Sequence, residues 1–134
     1  MSTLDFSGRK GKPVVVVGSL NMDLVMRTPR VPVGGETLHG HEFSTLPGGK
    51  GANQAVAAAR LGAEVSFIAR IGDDAIGHQM KSGFAKDGID VSAVELDPKL
   101  PTGIAIIYVS DEGENSIGIS AEANGALTPA VVKS

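Results

Sequence analysis

The sequence predicts an α/β fold, a parallel-sheet core with a small β layer standing off it, and three observations carry that expectation. Val14-Val15-Val16-Val17 is a β-branched run too continuous for a half-solvated strand, and it is expected to be a parallel strand buried on both faces. A strand, an alanine-rich helix and a second strand then follow in the order of a βαβ crossover. Further on, two apolar stretches flank Asp111-Glu112-Gly113-Glu114-Asn115, which has the composition of a hairpin turn.

The elements are expected in the following order. Residues 1–12 mix Ser, Thr, Gly, Arg and Lys around Phe6 and are expected to form a loose leader. The first strand stops at Gly18, and Asn21 and Asp23 lie just beyond its carboxyl end, where open α/β sheets bind ligands. Pro29, Pro32, Gly34 and Gly35 exclude a helix and lead into a short extended segment over residues 36–43. The run from Ala55 to Leu61 propagates as helix. Val65, Phe67, Ala69 and Ile71 then alternate as a strand. Asp73 or Asp74 caps the next helix, with Ile76, Met80 and Phe84 on its core face at fourfold spacing, and Gly88 suits the left-handed position after its end.

A short strand is expected over residues 91–96 and another over 102–110. In the latter Ile104, Ile106 and Tyr108 alternate with Ala105, Ile107 and Val109, so both faces are apolar. One reading makes it a central strand packed on both sides; the other turns one face toward a ligand or a partner. Ile117 and Ile119 share a face of the returning strand over 116–121. Finally Thr128 and Pro129 read as helix N-cap and first helical residue, and the sequence stops within about two turns, too short for a helix to stand alone. The chain is therefore expected to be cut within an element.

The most specific stretch is Gly48-Gly49-Lys50-Gly51-Ala52-Asn53-Gln54-Ala55, where glycines and two polar side chains enter a helix. Missing Cβ atoms permit close approach and tight turns, and the first-turn amides of the helix favour electron-rich oxygens. It is not a Walker loop, which would need glycine at Ser44 and a hydroxyl residue at Gly51. Nor is it a dinucleotide fingerprint, since the third glycine would fall on Gln54. Asn21 and Asp23, two positions apart on an extended chain, point the same way. A carboxylate accepts from two neighbouring hydroxyls while an amide donates and accepts, a combination suited to a polyol.

Val17-Gly18-Ser19-Leu20-Asn21-Met22-Asp23, Gly35-Glu36-Thr37, the glycine loop, Gly72-Asp73-Asp74 and Glu112-Gly113-Glu114-Asn115 together resemble the ribokinase-like carbohydrate kinases in order and spacing. The resemblance runs from about Pro13 to the end and implies the amino-terminal part of such a domain over residues 13–134. It implies ATP-dependent phosphorylation of D-ribose at its 5-hydroxyl, with Mg2+ and activation by K+, and substrate binding by Asn21, Asp23, Gly49, Lys50, Gly51 and Asn53. It also implies a β lid formed near residues 36–43 and 102–121, through which two copies pair as a homodimer, and a contact from Asn115 to sugar or lid. Members of this family carry a second motif, Gly-Ala-Gly-Asp, that supplies the catalytic base and the phosphate-stabilising amides. Nothing in the sequence matches it, so the catalytic Asp is expected beyond residue 134, the nucleotide sites outside this chain, and no turnover from these residues alone. A kinase of a related sugar or nucleoside, or a noncatalytic sugar-binding or dimerisation module, would retain the same scaffold.

Composition sets the remaining bounds. The 134 residues are 42% hydrophobic and 20% charged, ordinary for one globular domain. A net charge of −3 provides no basic field for nucleic acid or anionic membrane. The absence of cysteine excludes disulfides and thiolate metal sites, and with no secretory signal pattern or apolar span a cytoplasmic location is expected. His39 and His41 could share a strand face toward a metal, but no third ligand is placed with them, and no metal site is assigned. His78 falls on the polar side of its helix, and Glu112 and Glu114 read as turn residues.

Overall fold

The computed structural model describes residues 13–133; the expected leader at residues 1–12 lies outside them. The described residues form two sheets. The first contains β1 (Val14–Val17), β4 (Val65–Gly72) and β5 (Val94–Asp97), all parallel in the order β1-β4-β5. The second contains β2 (Asn21–Thr28), β3 (Glu42–Gly48), β6 (Gly103–Ser110) and β7 (Asn115–Ser120) in the order β3-β2-β6-β7. Its central pair, β2 and β6, is parallel, and both outer pairs are antiparallel.

Helices α1 (Lys50–Arg60) and α2 (Ala75–Lys86) cover one face of the first sheet. Alternation dictates which: Val65, Phe67, Ala69 and Ile71 all point to that face and are almost wholly buried against Ala52 and Ala55 of α1 and Met80 and Phe84 of α2. Phe67 and Phe84 meet edge to face with ring centroids 6.1 Å apart. The small alanines let α1 approach the sheet closely. Gly88 follows α2 at φ +79°, as a left-handed helix terminus requires.

Three expectations are corrected. β1 is not buried on both faces: Val14 and Val16 pack inward, whereas Val15 and Val17 are 61% and 51% exposed. Asn21 and Asp23 lie on extended chain beyond β1 as expected, but they open a separate eight-residue strand, β2, where no strand was expected. The extended segment expected at residues 36–43 begins only at Glu42. Before it, Arg30 clamps Glu36 through two hydrogen bonds of 2.6 and 2.7 Å, and Val33 N–H donates to the same carboxylate, holding this stretch as a closed loop. Pro47 is accommodated because β3 is an edge strand.

The strand at residues 102–110 is central in its sheet yet not packed on both sides, since Ile106 is 46% exposed. A 3-10 turn (Glu122–Ala126) follows β7 and returns the chain toward β4 and β6, and α3 (Pro129–Val132) closes the described residues. Thr128 occupies the N-cap position of α3 without a side-chain cap bond.

Candidate functional site

The loop joining β1 to β2 runs directly under the start of α1, and contact between glycines makes that possible. Gly18 and Gly51 meet backbone to backbone: a Cβ on Gly51 would lie 2.8 Å from Gly18 Cα. Gly49 adopts φ +100°, and a Cβ there would lie 2.6 Å from Ser19 O. The space beside these glycines is thus filled by the chain itself and is not left for a ligand. Ala52 N–H donates to Ser19 O at 3.1 Å, so one first-turn amide expected to face a ligand is already used.

Beside this junction is a hollow of about 330 Å³. Asn21, Asp23, Gly49, Lys50 and Asn53 all line it, drawn together from β2, the glycine turn and the first turn of α1. Ala105, Ile107, Ile117 and Ile119 supply an apolar wall from β6 and β7. Gly51, the sixth expected residue, is absent from the lining and instead packs on Gly18. Asn115 lies outside it, exposed at the start of β7 and paired with Val109. Two larger hollows, about 530 Å³ against α2 and about 660 Å³ between α1 and the end of α2, contain only Asn53 of the expected set.

Asp23 is the charged group whose environment is least compensated. No hydrogen-bond donor or cation among the described residues engages its carboxylate, and partial burial raises its pKa above the ordinary aspartate value. Gly48 makes room for it, since a Cβ on Gly48 would lie 2.0 Å from Asp23 Oδ2. Lys50 brings an ammonium to the rim, exposed and without an ion-pair partner among the described residues. The site therefore offers a bare acceptor, a cation and two amides around a partly apolar wall. Such a set suits a small polyhydroxylated molecule.

Among the lining residues that sequence reasoning did not assign to the site, Asn124 makes the most contacts to it. Asn124, in the 3-10 turn, accepts from Leu20 N–H at 2.9 Å and donates to Leu20 O at 3.0 Å and to Asn21 Oδ1 at 2.7 Å. The only local sign was an asparagine in a short Ala-Asn-Gly turn, which by itself is ordinary turn chemistry. Elsewhere, His41 pairs with Asp111 at 3.2 Å and His78 with Asp73 at 2.7 Å. Among the described residues no group of three His, Cys, Asp or Glu side chains could hold a metal ion.

Residues 12–133 match the model of the pfkB family carbohydrate kinases. The chain is 52% identical over 126 residues to a ribokinase of Schizosaccharomyces pombe, covering 90% of this chain and 40% of that protein. It superposes on the ribokinase of Giardia lamblia with a TM-score of 0.83 at 37% identity, covering 90% of this chain and 39% of the other. With the Arabidopsis thaliana ribokinase complexed with ribose and ATP the TM-score is 0.74 at 38% identity, over 84% and 36% of the two chains. The chain thus spans about 40% of the length of the curated relatives it matches.

Proposed function

This chain belongs to the pfkB family of carbohydrate kinases, and from that premise we propose that its hollow holds D-ribose for ATP-dependent phosphorylation to D-ribose 5-phosphate. The observation that carries the reading is the convergence of Asn21, Asp23, Gly49, Lys50 and Asn53 on one cavity beside an unpartnered carboxylate. Asp23 accepts from two neighbouring hydroxyls, Lys50 and Asn53 donate to ring or hydroxyl oxygens, and the isoleucines cover the carbon face of the sugar. Gly49 and Gly51 serve it by holding α1 against the β1–β2 loop. The ribose and ATP bound by the Arabidopsis relative support the substrate and the phosphoryl donor.

The four-stranded sheet is proposed as the lid through which two copies pair. The described residues contain no acidic cluster suited to Mg2+, so no step is assigned to that ion within them. Activation by K+ rests on family resemblance, as does a cytoplasmic location; no described helix is long and apolar enough to cross a membrane. The catalytic base is proposed to come from sequence beyond these residues, because Asp23 is placed to anchor hydroxyls.

The test is ribose-dependent ADP release and calorimetric ribose binding by the intact gene product. Asp23→Ala is expected to raise the ribose KM by tenfold or more, since charge-assisted hydrogen bonds contribute roughly 1.5–3 kcal/mol each, while the ATP KM stays within about twofold. Ribose use unchanged by that substitution would remove the hollow from the reaction. The 134 residues alone are expected to give no turnover under the same assay.

A further inference from the structure

Backbone groups cannot exchange roles: an N–H donates and a carbonyl accepts. Leu20, fully buried, presents both to the side chain of Asn124, its N–H to Oδ1 at 2.9 Å and its carbonyl to Nδ2 at 3.0 Å. Only one orientation of the Asn124 amide satisfies both contacts, which removes the usual ambiguity of an asparagine flip. The second hydrogen of Nδ2 is then directed to Asn21 Oδ1, 2.7 Å away. Asn21 is 8% exposed. Its oxygen being engaged, its Nδ2 is the group left over; no described residue accepts from it, and no buried side-chain nitrogen or oxygen among the described residues lacks a partner, so that nitrogen retains solvent access on a residue that lines the hollow. Gly103 keeps the contact possible, since a Cβ there would lie 2.4 Å from Asn124 Nδ2 and 2.7 Å from Asn21 Oδ1.

We propose that Asn124 is a positioning residue that sets the polarity of Asn21, turning it toward the sugar as a hydrogen-bond donor beside the pure acceptor Asp23. The inference rests on the ribose-binding reading for its ligand, but the polarity itself stands on the contacts with Leu20. A ligand in this hollow must offer a lone pair to Asn21 and hydroxyl hydrogens to Asp23. A polyol meets both demands, whereas a ligand carrying only acceptors meets one.

Asn124→Asp tests it in the intact protein. The new carboxylate still accepts from Leu20 N–H but turns an acceptor onto Asn21, which must rotate its amide and present oxygen to the sugar. The ribose KM is expected to rise roughly tenfold, with kcat at saturating ribose and the ATP KM within about threefold. In an Asn21→Ala background the same change is expected to add less than about twofold, because Asn124 acts through Asn21. Equal effects in both backgrounds would mean that Asn124 only staples Leu20, and would overturn the proposal. Gly103→Ala, which forces the two amides apart, gives an independent variant with the same expected nonadditivity.

Side-chain amide exchange in the unsubstituted protein, followed by NMR with asparagine-selective labelling, needs no variant. The Asn124 amide protons are expected to be protected and those of Asn21 to exchange freely until D-ribose is added. Protected Asn21 protons without ribose would overturn the assigned polarity. If D-ribose does not bind at all, the functional reading fails, while the exchange pattern of the ligand-free protein still decides the relation between Asn124 and Asn21.

Discussion

The carboxylate of Asp23 occupies the space that a side chain on Gly48 would take, since a Cβ at that position would fall 2.0 Å from Oδ2 and 2.3 Å from Cγ. Asp23 and Gly48 lie on neighbouring strands, β2 and β3, whose register pairs Asn21 with Gly48 and Asp23 with Leu46. A missing side chain on one strand thus seats the charged group of the next. Gly49, one residue later, has a different duty: it turns the chain into α1 at φ +100° with Ser19 O 2.6 Å from where its Cβ would lie. Adjacent glycines here separate the seating of a side chain from the turning of the backbone.

Gly48→Ala is expected to displace the Asp23 carboxylate, a side-chain movement, and so to raise the ribose KM several-fold with a small change in Tm. Gly49→Ala meets backbone and an unfavourable φ, a combination expected to cost about 2 kcal/mol or more and lower Tm clearly. Thermal melts beside ribose kinetics for the two variants check this. Equal losses of Tm would show that Gly48 is also structural.

Asp23→Asn is expected to stabilise the protein at neutral pH while impairing ribose use. Partial burial raises the folded-state pKa of Asp23 above its ordinary value, so the folded form binds that proton more tightly than the unfolded form. Its ionised carboxylate therefore counts against folding at neutral pH, and the penalty disappears as pH falls through the folded pKa. Tm measured at pH 7 should rise on substitution and the gain should vanish near pH 3. A lower Tm at pH 7 would mean that the carboxylate has a stabilising partner.

Glu36 is expected to titrate near 2. Hydrogen bonds from the Arg30 guanidinium and from Val33 N–H hold its pKa down from 4.5 to about 2, so its contribution to the closed loop is complete above 4.5 and is lost as pH falls toward 2. Both groups are at the surface, and salt will weaken the pair. Carboxyl NMR titration reads the midpoint directly, and Arg30→Ala should return it toward 4.5. A wild-type midpoint near 4.5 would mean that the Arg30 clamp is open in solution.

Much of this organisation was legible in the sequence because its causes are local. The glycine turn into α1, the alternation of Val65, Phe67, Ala69 and Ile71, and the fourfold spacing of Met80 and Phe84 each follow from periodicity or backbone freedom within a few residues. β2 was not legible, since Asn21–Thr28 mixes methionines, an aspartate and an arginine and becomes a strand by pairing with β3 on one side and β6 on the other. Five of the six expected site residues line the hollow; Gly51 does not, because its role is contact with Gly18. Asn124 escaped notice because its partners, Leu20 and Asn21, are more than 100 positions away in sequence.

Asp74 joins the helix that follows β4 to the strand that carries the apolar wall of the hollow, and its loss is expected to be felt in stability more than in chemistry. Its Oδ1 accepts from Gly77 N–H at 2.7 Å, the N-cap bond of α2, and from Thr102 Oγ1 at 2.8 Å, while Oδ2 accepts from Thr102 N–H at 2.8 Å. Burial opposes ionisation, yet the hydrogen bonds from Gly77 and Thr102 outweigh it and hold the pKa below the usual aspartate value. Asp74→Ala removes a cap worth about 1 kcal/mol and leaves the Thr102 amide, in a residue only 3% exposed, without its acceptor at a further ~1–3 kcal/mol. Asp74→Ser should recover the cap and not the Thr102 contact, falling between the two. Because the folded pKa is depressed, the stabilisation is fully present above 3.8 and is lost as pH falls through the folded value. Urea unfolding at pH 7 is expected to rank wild type above Asp74→Ser above Asp74→Ala, with the spread narrowing at pH 3. An Asp74→Ala variant within about 0.5 kcal/mol of wild type at pH 7 would show that neither the cap nor the Thr102 tie contributes to the fold.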